Sequence, residues 1–164
     1  MYTVLFEGLD RAGKSTLRAE FEKQTKYKYV TMDRGHISVF VYNAERTRKM
    51  ICASKTSDID LCNSLMIPIV DLCATLEAMS DHTIIVRAYA NPKEIDKRLK
   101  ATAHEPVDVE THEELFHLAF GAITMLAPNV KVITIDTDSG DSIENSVQKI
   151  IERVTLIKSL QEGE

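Results

Sequence analysis

Long hydrophobic runs are missing from this 164-residue chain. Its apolar stretches, such as LMIPIV at 65–70, fall far short of the ~20 residues a membrane span requires, so no membrane partner is expected. The opening MYTVLFEG has no basic segment, and its apolar run stops at Glu7; no export signal is expected. Cysteine is scarce. Cys52, Cys62 and Cys73 are odd in number and make no C-x-x-C pair, which implies free thiols in a reducing, cytoplasmic setting. All three fall in a stretch that reads as helical, where packing is their expected role. The five histidines lack metal-ligand spacing, so no His/Cys metal site is assigned. Excess positive charge is absent too. A net charge of −5 argues against a protein that coats nucleic acid, though not against a nucleotide or a small nucleic-acid footprint. Arg46, Arg48, Lys49 and Lys55 form one basic patch, read first as a solvated helix face. There is no repeat, low-complexity tract or Gly/Ser linker. With 44% apolar residues, one globular domain over 1–164 is expected.

What is present alternates between apolar bursts and helical patterns. TVLFEG reads as a first strand and Lys14 to Gln24 as a helix. YKYVTMDR reads as a second strand. A mostly helical region runs from Ile37 to Met79, with breaks expected near Ser57 and Pro68. TIIVRAY is a third strand, and NPKEIDKRLKA opens a helix with Pro92 in its first turn. Thr111 and Glu114 fit a capping box, followed by Leu115, Leu118, Ala119, Ala122 and Leu126 at helical spacing. VKVITID is a fourth strand. Asp141 and Glu144 mark the last helix, with Val147, Ile150, Ile151, Val154 and Ile157 on one side. Val/Ile-rich strands separated by helices indicate an α/β fold in three layers, with a parallel sheet of about four or five strands. Ligands of such sheets bind at the carboxyl ends of the strands. The candidate sites therefore lie at Gly8 to Ser15, at Asp33 and Arg34, and at Thr137 to Gly140.

Gly8 to Ser15 reads G-x-x-x-x-G-K-S between a strand and a helix. This is the pattern of a phosphate-binding loop, or P-loop. Glycines let the backbone approach an anion, successive N–H groups converge on it, and the following helix points its positive end at the same place. Gly8, Asp10, Arg11, Ala12, Gly13, Lys14, Ser15 and Thr16 are thus candidate nucleotide-binding residues. Lys14 is expected on the β- and γ-phosphates, and the Ser15 hydroxyl on Mg²⁺. The N-K-x-D of guanine-binding switches is absent, and no strand ends in the Asp-Glu of motor ATPases. Phosphoryl transfer from ATP to a bound acceptor is what remains, and it needs positive charge around the transferred group. Asp33 and Arg34 close the second strand. Arg34 is expected to bridge phosphates as a bidentate fork, and Asp33 to hold Mg²⁺ through water or orient the attacking oxygen.

At these residues the sequence resembles the thymidylate kinases. FEGLDRAGKST is similar to that family's phosphate loop. DRGHISVFVYN resembles its D-R-x-x-x-S-x-x-x-Y-Q segment, with Asp33, Arg34, Ser38 and Tyr42 on matching positions and Asn43 for the usual glutamine. NPKEIDKRL resembles the helix before the lid, AHEPVD at 103–108 the lid, and ITIDTDSGDSIENSVQKI the adenine-side loop and final helix. The resemblance implies a nucleoside monophosphate kinase-like fold, ATP and Mg²⁺ as cofactors, a deoxynucleoside monophosphate as acceptor and a possible homodimer. It also implies a transition-state role for Arg11, since one pattern in the family places the catalytic arginine in the loop, and the lid candidate at 100–109 holds none. Asp10, Arg34, Ser38 and Tyr42 then bind the acceptor, Arg98 a phosphate and Thr137 the adenine side. The likeness breaks at one place. Only seventeen residues separate Lys14 from Met32, where the family fits an extra strand and helix that hold the base. The helical region at 37–80 is left to form the acceptor wall. Three outcomes stay open: a deoxynucleoside monophosphate kinase, a kinase for a nucleoside or a hydroxyl-bearing base in DNA, and a non-catalytic ATP-binding switch. Retention of Arg11, Lys14, Ser15, Asp33 and Arg34 together weighs against the last.

Overall fold

The computed structural model describes residues 2–53, 58–101 and 108–163. Among them, four strands form one parallel sheet in the order β2-β1-β3-β4. β1 (Thr3–Glu7) and β3 (Thr83–Tyr89) are its centre, and their residues are mostly buried. Such strands are apolar throughout because helices cover both faces. β2 (Val30–Asp33) and β4 (Lys131–Asp136) are the edges, with alternating burial. The register sets Phe6 beside Asp33, Glu7 beside Arg87 and Tyr89 beside Asp136. The three loops flagged by sequence therefore emerge from the same end of the sheet.

The helices are α1 (Lys14–Gln24), α2 (His36–Ala53), α3 (Asp58–Ala78), α4 (Pro92–Ala101), α5 (Val109–Leu126) and α6 (Ile143–Glu162). α1 packs on α6, while α2, α3 and α5 pack on one another. The core runs through both layers. Phe21, Val147, Ile150 and Val154 are fully buried on the α1/α6 side, and Ile37, Val41, Leu76 and Ile123 on the other. The expected apolar side of α6 is thus the buried one. No helix among the described residues is long and apolar enough to cross a membrane.

Several local expectations are corrected. The second strand starts at Val30, because Lys26 and Tyr27 adopt left-handed backbone (φ 52° and 57°) in the turn that ends α1. Pro68 does not break α3 but lies inside it. It is exposed, so the carbonyl of Ser64, which loses its amide partner, faces solvent. The break near Ser57 lies outside the described residues, as does Lys55 of the basic patch. Helix α5 is capped by Asp108 rather than Thr111, the carboxylate accepting the Thr111 N–H at 3.0 Å. Its buried side is His112, Leu115, Phe116, Ala119, Phe120 and Ile123, and Leu118 and Leu126 are exposed. Helix α6 is capped by Ser142, not Asp141; the Ser142 hydroxyl accepts the Asn145 N–H at 3.2 Å. Cys73 is buried, as expected for a packing role, but Cys52 is exposed.

Candidate active site

The phosphate loop leaves β1 at Gly8, whose φ is 140°. A Cβ there would lie 2.2 Å from the backbone carbonyl oxygen of Ala88 on β3, so only glycine lets the loop rise against the central strand. The loop turns back on itself with the Ala12 N–H donating to the Leu9 carbonyl at 3.2 Å. Gly13, with φ 90°, precedes α1 and makes no side-chain cap. The first-turn amides of α1 thus point at the loop's concavity, the arrangement that favours an anion. Lys14 is buried, and its Nζ donates to the carbonyls of Gly8 (2.8 Å) and Leu9 (2.6 Å). Burial lowers its pKa, opposed by the charges of Asp10 and Asp33. Arg11 stands on the exposed side of the loop in left-handed backbone (φ 65°).

A cleft of about 1030 Å³ opens over this loop. Asp10, Arg11, Gly13, Lys14, Ser15, Thr16, Asp33, Arg34, Arg98 and Thr137 all line it. Gly8 and Ala12 hold the loop from behind; Ala12 is fully buried, and its carbonyl lies 3.0 Å from the Thr137 hydroxyl. The strand pairing of β1 with β2 sets Asp33 beside the loop, and the Ser15 hydroxyl donates to Asp33 Oδ2. The other oxygen, Oδ1, is buried with no hydrogen-bond partner. An orphaned carboxylate oxygen beside a hydroxyl offers hard oxygen donors of the kind Mg²⁺ takes. Among the described residues no group of three or more His, Cys, Asp or Glu side chains is placed to hold a metal ion.

Asp10 joins the loop to the acceptor side. Arg34 Nη2 donates to Asp10 Oδ1 at 2.8 Å, and the Tyr42 hydroxyl donates to Oδ2 at 2.8 Å. The Arg34 guanidinium stands 5.7 Å from the centre of the Tyr42 ring. Burial and the Asp10 charge push the Tyr42 pKa up, so the phenol stays a donor. Ser38, expected to bind the acceptor, does not reach the cleft. It is buried behind it, and its hydroxyl donates to Glu7. Arg98 is held by Asp138 (2.7 Å) and donates to the Arg11 carbonyl at 3.1 Å. On the expected adenine side Asp138 is thereby occupied, and the wall is formed by Thr137, Asp141, Ile143 and Ser146. The lid candidate keeps Lys100 and Ala101 at the end of α4 and Asp108 at the start of α5; 102–107 lie outside the described residues.

No protein-family model matches the chain, and no curated protein matches it. Solved structures do. The YorR protein of Bacillus subtilis, solved in complex with phosphorylated GDP, matches at a TM-score of 0.61 over 96% of this chain and 98% of its own, with 18% identity. The chain thus shares the α/β fold of that structure, a parallel sheet layered with helices. A shikimate kinase from Bacteroides thetaiotaomicron matches at a TM-score of 0.47 with 12% identity, over 94% of this chain and 98% of its own.

In this α/β fold one residue of the candidate site escaped the sequence. Glu7, which seemed only to end an apolar run, has no exposed surface. Its two carboxylate oxygens accept the N–H groups of Ile37 and Ser38, each at 3.1 Å, in the first turn of α2. The available signal was indirect: α2 begins after Gly35, which has no side chain to cap it, so its first amides needed an acceptor from elsewhere.

Proposed function

We propose that the chain is a Mg²⁺- and ATP-dependent phosphotransferase acting on a deoxynucleoside monophosphate. The observation that carries this reading is that one cleft is lined by a Lys14–Ser15–Asp33 group and by an Asp10–Arg34 pair, to which the Tyr42 hydroxyl is bonded through Asp10. The first suits a triphosphate, and the second suits an acceptor. YorR, solved with phosphorylated GDP, supports a nucleotide in a cleft of this fold.

The residues divide the work as follows. The loop amides and Lys14 bind the donor phosphates; Lys14 exchanges the Gly8 and Leu9 carbonyls for phosphate oxygens. Ser15 and Asp33 would hold Mg²⁺, which when bound neutralises phosphate charge. Arg34 is 56% exposed, and its pair with Asp10 is of a class worth only about 0–1 kcal/mol. An acceptor phosphate, with a bidentate charge-assisted contact, outcompetes that pair at small cost. Asp10 and Tyr42 then hold the acceptor side against the loop. Arg11, in the middle of the loop, spreads positive charge over the transferring group. Exclusion of water is needed, because an open site would hydrolyse ATP.

A second reading keeps the donor site and changes the acceptor to a nucleoside or a hydroxyl-bearing base in DNA. It is favoured by the direct path from β1 through α1 to β2, which has no segment for enclosing a base. The test is ADP release from Mg–ATP with thymidylate, the other deoxynucleoside monophosphates, thymidine and duplex DNA offered in parallel. Stimulation by monophosphates alone supports the first reading. Stimulation by thymidine or DNA alone replaces it with the second.

A further inference from the structure

We propose that Glu7 is a positioning residue for phosphoryl transfer, its carboxylate fixing the acceptor-side turn at Arg34 and Gly35 relative to the phosphate loop. The proposal rests on the phosphotransferase reading above.

Glu7 belongs to both halves of the site. Its backbone ends β1 and leads directly into Gly8. Its side chain reaches the other half, where Oε1 accepts from Ile37 N–H and Oε2 from both the N–H and the hydroxyl of Ser38. No ion pair to Glu7 exists among the described residues. These donors, the Gly35 N–H, the positive end of α2 and the nearby Lys14 charge stabilise its charge. Burial raises its pKa, and those hydrogen bonds oppose the rise. An acidic side chain kept with no exposed surface at such a cost is held for a geometric reason.

The turn between the two anchors has no slack. The Arg34 N–H donates to the Phe6 carbonyl at 3.2 Å, and Arg34 is forced into left-handed backbone at φ 67°. At the next residue, Gly35, a Cβ would lie 2.8 Å from Glu7 Oε1. The carboxylate fills the space that a side chain would need, and the turn is folded around it. Asp33 and Arg34 enter the cleft from this turn, and Tyr42 follows on the helix whose first amides Glu7 holds. Moving the carboxylate shifts Arg34 and Tyr42, while Asp33, paired with Phe6 and bonded to Ser15, stays with Lys14 and the phosphate loop.

Glu7→Gln keeps the shape and puts an NH₂ where an N–H or hydroxyl donates. Ser38→Ala is the milder second variant, useful where Glu7→Gln folds poorly. Ile150→Val, in the core beside α1, serves as a control for lost stability. Three quantities are read for each: the Kd for Mg–AMPPNP by calorimetry, kcat and KM with the best deoxynucleoside monophosphate, and amide exchange over 36–42. Glu7→Gln is expected to keep the AMPPNP Kd and the ATP KM within about threefold while kcat/KM for the monophosphate falls at least about tenfold, with Ser38→Ala losing about threefold. Exchange at Ile37 and Ser38 should rise in both. Donor affinity falling in step with turnover, or the same loss in Ile150→Val, would make Glu7 a structural residue only. Unchanged turnover in both variants would also overturn the proposal and leave the phosphotransferase reading standing. A wild-type protein that binds AMPPNP but transfers to no monophosphate, thymidine or DNA would overturn that reading and the role of Glu7 with it.

Discussion

Lys14 and Arg11 share one loop and are held in opposite ways. Lys14 is enclosed, with its ammonium on two backbone carbonyls. Replacing it with alanine removes the buried positive charge beside the phosphates. Lys14→Ala is expected to lower kcat/KM for Mg–ATP by about 10²–10³-fold or more; near-normal ADP release would refute its role. Arg11 is exposed and in left-handed backbone, a conformation that costs a non-glycine residue about 1–3 kcal/mol and concentrates at functional sites. Arg11→Ala is expected to lower kcat on the order of 10³–10⁵-fold at unchanged donor affinity. A kcat within about threefold of wild type would contradict that. At this scale the sequence was legible where the chemistry is local. Gly8, Lys14 and Ser15 are flagged by spacing within eight residues, and the structure sets them in one loop at the start of α1. Ser38 was misread, since its burial depends on Glu7, thirty-one positions away, and no local pattern records that pairing.

The elements were legible to the extent that burial has one period. α1 has the expected bounds, Lys14 to Gln24, and the buried side of α6 is the one its periodicity predicts. α5 was shifted because its cap was misplaced by three residues: Asp108 accepts the Thr111 N–H that the Glu114 side chain was expected to accept in a capping box. Glu114 is thereby released from a capping role, and it pairs with Arg48 of α2 at 3.1 Å. Asp108→Ala should lower stability by about 1 kcal/mol, measured by urea unfolding at pH 7. The hydrogen bond from Thr111 holds the Asp108 pKa below its ordinary 3.8. The unfolded chain therefore binds the proton more readily, and the cap's contribution is complete above about pH 3.8 and vanishes as pH falls below it. The gap between wild type and Asp108→Ala should close in acid; a constant gap down to pH 2 would show that the carboxylate charge does not matter there.

For the whole molecule, the class of fold could be read from four Val/Ile-rich strands separated by helices. The order β2-β1-β3-β4 could not, since it depends on which strands meet. The meeting of Tyr42 with Asp10 is illegible for a related reason: the two are thirty-two positions apart and are brought together by packing. The Gly8–Ser15 pattern is a continuous segment and is read without knowing the packing around it.

The close approach of Gly8 to Ala88 fixes when the Gly8–Ser15 loop can exist during synthesis. β1 is made before β3 but lies between two strands, and its partner β3 follows about eighty residues later. Until Thr83–Tyr89 emerges, the first strand has an open flank and the loop has nothing to lean on. Parallel pairings this distant in sequence form slowly and leave edges exposed meanwhile. Stalled nascent chains that expose residues 1–80 should retain no Mg–AMPPNP, while chains exposed to residue 163 should retain it. Capture by the shorter chains would show that the loop forms without the central strand. A loop read from eight consecutive residues thus waits for a strand about eighty residues further along the chain.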